Sequence, residues 1–404
     1  MSSVKLTRRN FIRSGAIMYS ASALSFTGLS SFAWGANDVV RLGIIGCGKR
    51  GQGVARIIKD LPGLAIVACC DTVPERLDSI LQYVSIKSKS YKDYRSLLED
   101  KNIDAVFIAS PEHLHFQMAI DALDAGKHVY LEKTITYNIQ QALDLERSVK
   151  QSDKVFQVGH QYRSFPLYHE IKEALNRNWL GDVLHFECWY HRNSDWRYPV
   201  TANSTERLTN WRMYKEYSGG LMTELSAHQL DIVNWLTGNH PKKVSGIGNI
   251  NFWKDGRETY DSVQAIFEYP GGVKANVSSI LSNAYNNYEI RVLGTKGTIQ
   301  ILRDTAFLHA EPIKKQLGVV DGVTGATLLK ATQGKALPIE FEYPDGIKRD
   351  PTYYAFVNFI NCIRENKKPL SGIKEGKEVA IAAHMANIAM ETETLQYWKE
   401  EYNG

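Results

Sequence analysis

Between residues 39 and 158, short apolar runs alternate with longer amphipathic segments. The short runs are rich in Val, Ile and small residues, as buried strands are, and the longer segments have helical periodicity. Strands are predicted at residues 39–45, 64–70, 104–109, 127–131 and 154–158. Helices are predicted at residues 54–59, 74–83, 112–125 and 139–151. Strands that alternate with helices in this way predict a parallel, doubly wound sheet of the α/β class.

Beyond residue 159 the pattern changes to short alternating runs separated by turns. These runs predict strands at residues 183–191, 244–253, 261–269, 272–280, 288–293 and 297–302. The turn Pro270-Gly271-Gly272 favours a hairpin, so we expect a largely antiparallel, open sheet. Helices are predicted at residues 168–176, 352–366 and 375–398, whereas residues 306–348 are irregular. The second half is therefore expected to be an α+β domain whose helices cover one side of the sheet.

A glycine-rich turn, GCGKRG at residues 46–51, directly follows the first predicted strand. In the spacing GxGxxG, one glycine makes a tight turn, one lets the backbone approach a pyrophosphate and one lets helix and strand pack closely. Asp71 ends the second strand about twenty residues later, where a carboxylate binds a ribose 2′-hydroxyl. It would repel a 2′-phosphate, so NAD is favoured over NADP. The alternative interpretation is a plain surface turn followed by a solvated aspartate.

Two further segments follow predicted strands of the same sheet. Residues 110–115 come after the strand at 104–109, and Glu132-Lys133 comes after the strand at 127–131. Ligands of doubly wound sheets bind beyond the carboxyl ends of the strands, so both segments are expected to line one crevice with the glycine turn. Taken alone, Glu132-Lys133 is more often a solvated ion pair.

The composition narrows the class of protein. The chain has 404 residues, is 44% hydrophobic and carries a formal charge of only +4, with no long basic run, so we expect no nucleic-acid partner. None of its five cysteines forms a CxxC pair, so we infer neither a disulfide framework nor a cysteine metal site, and we expect no bound metal.

The first 36 residues have the features of a leader. Arg8-Arg9 precedes Phe11-Ile12 and a weakly apolar stretch at residues 14–33, which is typical of a twin-arginine signal peptide. An ordinary basic secretion signal is the alternative, and a membrane anchor is disfavoured because Ser, Thr and Gly interrupt the apolar stretch. Twin-arginine export carries folded proteins. We therefore expect a periplasmic protein, not inserted in the membrane, that collects its dinucleotide before export and holds it tightly.

Several ordered motifs resemble one known family. They are SPEHLH at 110–115, AGKHV at 125–129, Glu132-Lys133, GHQYR at 159–163 and GGLMTELSAHQLD at 219–231. Together they resemble the Gfo/Idh/MocA family of glucose–fructose oxidoreductases and inositol dehydrogenases, from about residue 39 to the C-terminus. The resemblance implies a Rossmann domain at 37–158 and a substrate-binding and oligomerisation domain at 159–404. It also implies a homo-oligomer, a dimer or tetramer, that often associates through the exposed sheet face.

The resemblance implies three catalytic positions, Lys133, Glu224 and His228. A lysine can act as base in oxidation and acid in reduction, and a histidine can hold or relay the hydroxyl proton. The i,i+4 spacing of Glu224 and His228 lets both face one ligand, where the carboxylate could orient the histidine or bind a sugar hydroxyl. Many relatives have Asp in place of Glu224, and Thr134 replaces the usual proline of Glu-Lys-Pro. A Lys133–Thr134 bond is expected to be trans.

The remaining site predictions concern the cofactor and the substrate. The cofactor-binding residues are predicted to be Gly46, Gly48, Lys49, Arg50, Gly51, Asp71, Ser110, Pro111, His115 and Glu132. The substrate-binding residues are predicted to be Tyr162, Arg163, His191, Trp196, Arg197 and Asp231. Aromatic rings in polar loops suit carbohydrate because they stack on sugar CH faces. Packing is at least as frequent a role for a single tryptophan, and Asp231 could equally be a helix salt-bridge partner.

These observations predict an NAD-dependent oxidoreductase that transfers a hydride between the hydroxyl carbon of a sugar, glycoside or polyol and a tightly bound nicotinamide. A related alternative is an NAD-dependent glycosidase that acts through a transient keto-sugar. A non-catalytic dinucleotide-binding sensor is an alternative from another class, which the joint presence of Lys133, Glu224 and His228 disfavours.

Overall fold

The computed structural model describes residues 39–85, 87–311 and 336–404, together with the backbone of two short strands between residues 317 and 327. The predicted leader, residues 1–36, lies outside the described residues. Within those ranges, no helix is both long and apolar enough to cross a membrane.

The first half forms a six-stranded parallel sheet. Its strands are β1 (Val40–Ile45), β2 (Leu64–Cys70), β3 (Lys89–Tyr91), β4 (Ala105–Ile108), β5 (His128–Leu131) and β6 (Phe156–Val158). Their order across the sheet is β3-β2-β1-β4-β5-β6, and every neighbouring pair is parallel. Apart from β3, these strands are mostly buried, as expected for a sheet covered on both faces. The predicted doubly wound Rossmann sheet is confirmed.

Helices connect these strands. They are α1 (Lys49–Ile58), α2 (Pro74–Leu81), α3 (Tyr94–Glu99), α4 (His115–Asp124) and α5 (Ile139–Gln151). The strand order reverses direction between β1 and β4, so the carboxyl ends of these strands open a crevice there. The glycine turn before α1 and residues 109–114 before α4 both lie at this crevice.

The second half is built on a nine-stranded sheet. Its longer strands are β7 (Val183–Tyr190), β8 (Lys243–Asn249), β9 (Ser262–Glu268), β10 (Lys274–Ile280), β11 (Tyr288–Gly294), β12 (Gly297–Leu302) and β13 (Thr305–Ala310). The short strands β14 (Leu317–Val320) and β15 (Val323–Thr327) form a separate hairpin, while β16 (Leu337–Pro338) and β17 (Gln396–Tyr397) are edge strands. The large sheet has the order β16-β13-β12-β11-β7-β10-β9-β8-β17, and only β7 and β10 pair in parallel. The expected largely antiparallel sheet is thus confirmed.

The helices of the second half are α6 (Pro166–Asn176), α7 (Glu206–Thr209), α8 (Ala227–Thr237), α9 (Pro351–Glu365) and α10 (Ile373–Thr392). A π-helical turn at Met222–Ser226 runs directly into α8. The last two helices return to the first domain. Phe356 of α9 stacks face to face on Tyr130 of β5 with ring centroids 4.3 Å apart, and Lys377 Nζ of α10 lies 2.9 Å from Glu146 Oε2 of α5.

The structure corrects three details of the predicted element list. The pattern missed β3 and α3, because the strand has only three residues, none of them buried, and the helix has only six residues. Residues 306–348 were expected to be irregular, yet β13 begins at Thr305 and adds to the sheet beside β12. The last helix ends at Thr392 rather than near residue 398, since Glu393 adopts a left-handed conformation with φ 54°.

Replacing Phe356 with alanine should lower the free energy of unfolding by about 3–5 kcal/mol, because a fully buried ring is lost and a cavity remains. The ring touches Phe107 and Tyr130 of the parallel sheet, so the loss tests how α9 stabilises the first domain. Urea unfolding followed by fluorescence measures the change. The control is Phe252→Ala, at a ring that is 60% exposed, which should cost about 1 kcal/mol or less. Equal losses of unfolding free energy in the two variants would contradict the role of α9 in stabilising the first domain.

Candidate active site

A cleft of about 1080 Å³ lies between the carboxyl ends of the parallel strands and the second domain. The predicted residues that line it are Gly46, Gly48, Lys49, Arg50, Asp71, Ser110, Pro111, His115, Glu132, Lys133, Tyr162, Trp196, Glu224 and His228. The structure therefore brings the three predicted catalytic side chains to the same cleft as most of the predicted cofactor residues.

Two glycines of the turn are required by the packing of the chain itself, and the third faces the open cleft. Gly46 has φ 94°, and a Cβ there would lie 2.6 Å from the carbonyl oxygen of Ala109. A Cβ on Gly51 would lie 2.0 Å from the carbonyl oxygen of Gly46, so this glycine allows close packing and does not itself line the cleft. A Cβ on Gly48 would meet nothing within 4 Å. Gly48 caps α1 at the open cleft, where free helix N–H groups suit a pyrophosphate.

Asp71 is held at the other end of this turn. Its carboxylate accepts hydrogen bonds from the backbone N–H of Cys47 at 2.8 Å and of Val73 at 2.9 Å. Arg76 Nη1 lies 3.8 Å from Asp71 Oδ1. A carboxylate has about four acceptor positions, so oxygen lone pairs remain for a ribose diol. Together with the glycine turn, the carboxylate fits the adenosine half of NAD.

His115 joins the two loops that follow β4 and β5. Its Nδ1 lies 2.7 Å from the carbonyl oxygen of Thr134, and its Nε2 lies 3.0 Å from the carbonyl oxygen of Ser110. Burial lowers the pKa of His115 below its usual value, so the ring is neutral near pH 7 and donates to one of these oxygens at a time. The imidazole thus holds the loop after β4 beside the loop after β5.

Glu132 and Arg50 connect β5 to the glycine turn. Arg50 Nε donates to Glu132 Oε1 at 2.6 Å, and Glu132 is almost completely buried. A Cβ on Gly159 would lie only 3.0 Å from Glu132 Oε2, so the carboxylate also packs against the start of the second domain. This ion pair fixes the strand end that carries Lys133.

Lys133 reaches across the cleft to the π-helical turn. Its Nζ donates a hydrogen bond to the carbonyl oxygen of Glu224 at 2.7 Å. Beside it, Thr134 Oγ1 donates to the carbonyl oxygen of Thr223 at 3.0 Å. The prediction of a trans peptide bond between Lys133 and Thr134 is wrong, because this bond is cis. These two contacts tie the end of β5 to the turn before α8.

The carboxylate of Glu224 points to an arginine that the sequence did not single out. Glu224 Oε2 accepts from Arg212 Nε at 2.7 Å. Burial raises the pKa of Glu224, but the charges of Arg212 and Lys133 outweigh burial, so the pKa is lowered overall. Glu224 is therefore ionised near neutral pH. Among the described contacts it makes no hydrogen bond to His228, so the suggested role of orienting that histidine has no support in the structure.

His228 supplies a neutral imidazole. Burial lowers its pKa well below the usual 6.5, and the positive charge of Lys133 lowers it further. Its Nδ1 is buried and has no hydrogen-bond partner among the described residues. The ring of Tyr162 contacts the imidazole edge-on, with centroids 5.6 Å apart. Because His228 lines the cleft, it is available to a substrate hydroxyl.

Glu112 is a buried carboxyl that sequence reasoning gave no role. Its Oε2 accepts from Thr223 Oγ1 at 2.7 Å and from the N–H of Gly219 at 3.1 Å. Burial raises its pKa from 4.5 to about 8, and the negative charge of Glu224 contributes to the same shift. Glu112 is thus mostly protonated near neutral pH and stabilises the backbone that presents Glu224.

Four of the predicted substrate-binding residues do not line the cleft: Arg163, His191, Arg197 and Asp231. Arg163 Nε instead pairs with Asp231 Oδ1 at 2.7 Å in the interior, with His160 Nδ1 3.2 Å from the same oxygen. Of the two roles considered for Asp231, the structure thus supports that of a salt-bridge partner. His191 contacts Ser278 and the carbonyl oxygen of Tyr285. Arg197 pairs with Glu206 and Asp255. Tyr162 and Trp196 remain the predicted residues in reach of a substrate.

Several other lining residues were missed. In the substrate half of the cleft these are Gln161, Tyr190, Arg192, Trp211, Arg212 and Arg303. Most come from loops at strand ends and from two short 3-10 turns, where no periodic pattern marks an inward direction. The aromatic and basic composition of residues 189–212 was the one available signal. Within the described ranges, no group of three or more His, Cys, Asp and Glu side chains could hold a metal ion.

A parallel sheet with a glycine turn, a strand-end aspartate and a lysine and histidine at the same cleft defines a dinucleotide-binding oxidoreductase. Family comparison agrees with this class. Residues 40–160 match an oxidoreductase family with an NAD-binding Rossmann fold, and residues 168–300 match the GFO/IDH/MocA C-terminal domain. The chain belongs to the GFO/IDH/MocA family and is an NAD-binding oxidoreductase.

Relatives with assigned activities include polyol dehydrogenases. The chain is 27% identical over 267 residues to scyllo-inositol 2-dehydrogenase (NAD(+)) of Bacillus subtilis (strain 168), which covers 65% of this chain and 73% of that protein. It is 23% identical over 265 residues to myo-inositol 2-dehydrogenase of Thermotoga maritima, which covers 64% of this chain and 74% of the relative. A levoglucosan dehydrogenase in complex with NADH and levoglucosan has the same fold, with a TM-score of 0.71 and 19% identity over 89% of this chain and 99% of that one.

The raised pKa of Glu112 predicts a pH-dependent stability. Between pH 4.5 and about 8 the folded state keeps a proton that the unfolded state releases, so the free energy of unfolding falls as pH rises. Glutamine has no titratable proton, so the Glu112→Gln variant lacks this pH dependence. The free energy of unfolding of the variant, measured relative to that of the unchanged protein, should therefore rise by on the order of 3 kcal/mol between about pH 5 and about pH 8.

Urea unfolding at both pH values measures the difference. Glu99→Gln, at an exposed position, is the matched control and should show no such trend. A difference that stays constant with pH for Glu112→Gln would show that the carboxyl is not held protonated.

Proposed function

We propose that this protein oxidises, reversibly, one hydroxyl carbon of a sugar, glycoside or polyol. The observation that carries the proposal is the meeting of the Lys133 ammonium, the Glu224 carboxylate and the neutral His228 in one cleft beside the glycine turn. The inositol dehydrogenases among its relatives support the substrate class.

The reaction requires a hydride and a proton to leave the same carbinol group. The glycine turn and Asp71 would hold NAD, whose nicotinamide would supply the hydride acceptor. The proton leaves the hydroxyl oxygen, and we propose that Lys133 accepts it as the neutral amine in oxidation and returns it as the ammonium in reduction. His228 accepts a hydrogen bond from the hydroxyl or relays its proton, for which a neutral imidazole at the cleft is suited. Glu224, ionised and paired with Arg212, is proposed to bind a neighbouring hydroxyl.

Tyr162 and Trp196 are proposed to contact the sugar. Both side chains line the cleft, and aromatic rings stack on the CH faces of carbohydrates. The same proposal includes association of copies into a dimer or tetramer. Ile247 and Ile266 project from adjacent strands of the open sheet face with 72% and 48% exposure, which supports an interface there.

The products of a sugar panel test the function. With purified protein and NAD, the expected result is nicotinamide reduction together with a keto-sugar detected by mass spectrometry. Release of an aglycone from a glycoside without net NADH would instead identify the glycosidase that acts through a transient keto-sugar. If no sugar gives either product, the proposal is rejected and a dinucleotide sensor is favoured.

Lys133→Met should abolish turnover and leave NAD binding intact, because methionine keeps the length of the side chain and cannot transfer a proton. Lys154→Met, at a partly exposed lysine that does not line the cleft, is the control and should keep full turnover. Unchanged turnover in Lys133→Met would reject the role of this residue.

We propose further that the protein is exported to the periplasm by the twin-arginine route with its NAD already bound and tightly held. The support is Arg8-Arg9 followed by Phe11-Ile12 and a weakly apolar stretch. Replacing Arg8 and Arg9 together by lysine should block export, measured as loss of the protein from the periplasmic fraction. Arg13→Lys is the control and should be exported normally. Export of the double variant would favour an ordinary secretion signal.

A further inference from the structure

We propose that the natural substrate carries an anionic group, a carboxylate or a phosphate, and that Arg192 and Arg303 bind it. This inference rests on the proposed function and names the class of sugar that the same cleft takes. Both arginines line the cleft, one from the end of β7 and one from the turn between β12 and β13.

A group of tyrosines places the two guanidinium groups at one end of the cleft. Arg192 Nη2 donates to the hydroxyl of Tyr190 at 3.0 Å, and its guanidinium lies 5.2 Å from the centre of the same ring. Arg303 lies close enough to Tyr162 and Tyr190 for its charge to interact with both phenols. Tyr190 is thus a shared neighbour of Arg192 and Arg303.

The charge of this end of the cleft is not balanced by the protein. Elsewhere in the cleft, Arg50 pairs with Glu132 and Arg212 pairs with Glu224. Across the part of the chain that the structure describes, neither Arg192 nor Arg303 forms an ion pair, although the charge of Asp350 acts on Arg303 through space. Arg192 donates to a neutral phenol and Arg303 lies beside two of them, which leaves guanidinium N–H groups for a ligand.

The conformation of Arg303 adds to this argument. Arg303 has φ 58°, a left-handed conformation that is unfavourable for a residue with a long side chain. In the two-residue turn between β12 and β13, this conformation is typical of glycine or asparagine, which would bring no charge. The strained turn instead carries a cation into the cleft, as binding sites often do.

The arginines are close to the proposed reacting group. Tyr162, whose phenol interacts electrostatically with Arg303, packs edge-on against His228. The positive charge of Arg303 reaches the imidazole and is one of the causes of its lowered pKa, after burial and the charges of Lys133 and Arg50. An anion bound here would therefore be a substituent of the same small molecule whose hydroxyl meets His228. A neutral sugar would leave both guanidinium groups without a charged partner.

Matched substrates test the inference. Each set contains a neutral sugar or polyol, the corresponding sugar acid and the corresponding phosphate, and kcat/KM is measured by nicotinamide reduction. At least one anionic member should exceed its neutral parent about 10- to 100-fold, the effect of charge-assisted hydrogen bonds. Preference for the sugar acid identifies a carboxylate as the bound group, and preference for the sugar phosphate identifies a phosphate. The preference should shrink as salt is added, since this end of the cleft is open to solvent.

Arg303→Gln and Arg192→Gln should each lower the ratio of anionic to neutral kcat/KM about tenfold, mainly through KM, because each removes one charged donor. Arg303→Lys keeps the charge and should retain part of the preference, which guards against a variant that simply fails to fold. Retained NAD and an unchanged Tm check folding in every case. Arg177→Gln, which removes an exposed arginine paired with Glu173, should leave the ratio unchanged.

The outcomes separate this inference from the proposed function. If neutral members are oxidised as well as anionic ones in every set, or if the glutamine variants leave the ratio unaltered, the anion site is wrong while the oxidoreductase function stands. If no member of any set reduces nicotinamide, the proposed function fails, and the inference fails with it.

Discussion

The cleft depends on one contact between the two halves of the chain, the hydrogen bond from Lys133 Nζ to the carbonyl oxygen of Glu224. A single side chain at the end of a parallel strand thereby sets the distance to the π-helical turn, and the adjacent bond from Thr134 to Thr223 holds the same register. Since the acceptor is a backbone carbonyl and not a carboxylate, Lys133 is positioned without direct neutralisation of its charge. The carboxylate of Glu224 is left for Arg212 and for a ligand.

Burial then sets the protonation of the groups around this contact. Glu112 and Glu224 are both buried, yet only Glu224 has a cation in direct contact, so one carboxyl is held protonated and the other ionised. His228 is neutral because it is buried beside Lys133. A neutral imidazole and an ionised carboxylate are what a carbinol site needs if its hydroxyl is to be held as a donor. Different environments around the π-helical turn thus give different charges to similar groups.

Much of the architecture could be predicted from the sequence, because strands and helices have characteristic periodic patterns of apolar residues. The glycine turn could be recognised because few residues meet its steric requirements. Lys133, Glu224 and His228 could be found only because ordered motifs resembled a known family. Arg163 and Asp231 were misassigned for a physical reason: both are polar residues in family motifs, but their side chains turn inward and neutralise each other in the core. Nothing in a linear pattern distinguishes a charge that faces a ligand from one that faces its partner.

The same reason explains why Arg192 and Arg303 could not be predicted. They are 111 residues apart in the chain and meet only because β7 and β12 flank β11 in the sheet, so that the end of β7 and the turn after β12 lie on the same side of the cleft. What marks them is a comparison that needs coordinates: the neighbouring arginines Arg50 and Arg212 have carboxylate partners, whereas these two have phenols. A charge that the fold keeps at a solvent-filled cleft without a partner costs little there. It becomes a strong recognition element when a ligand displaces the water.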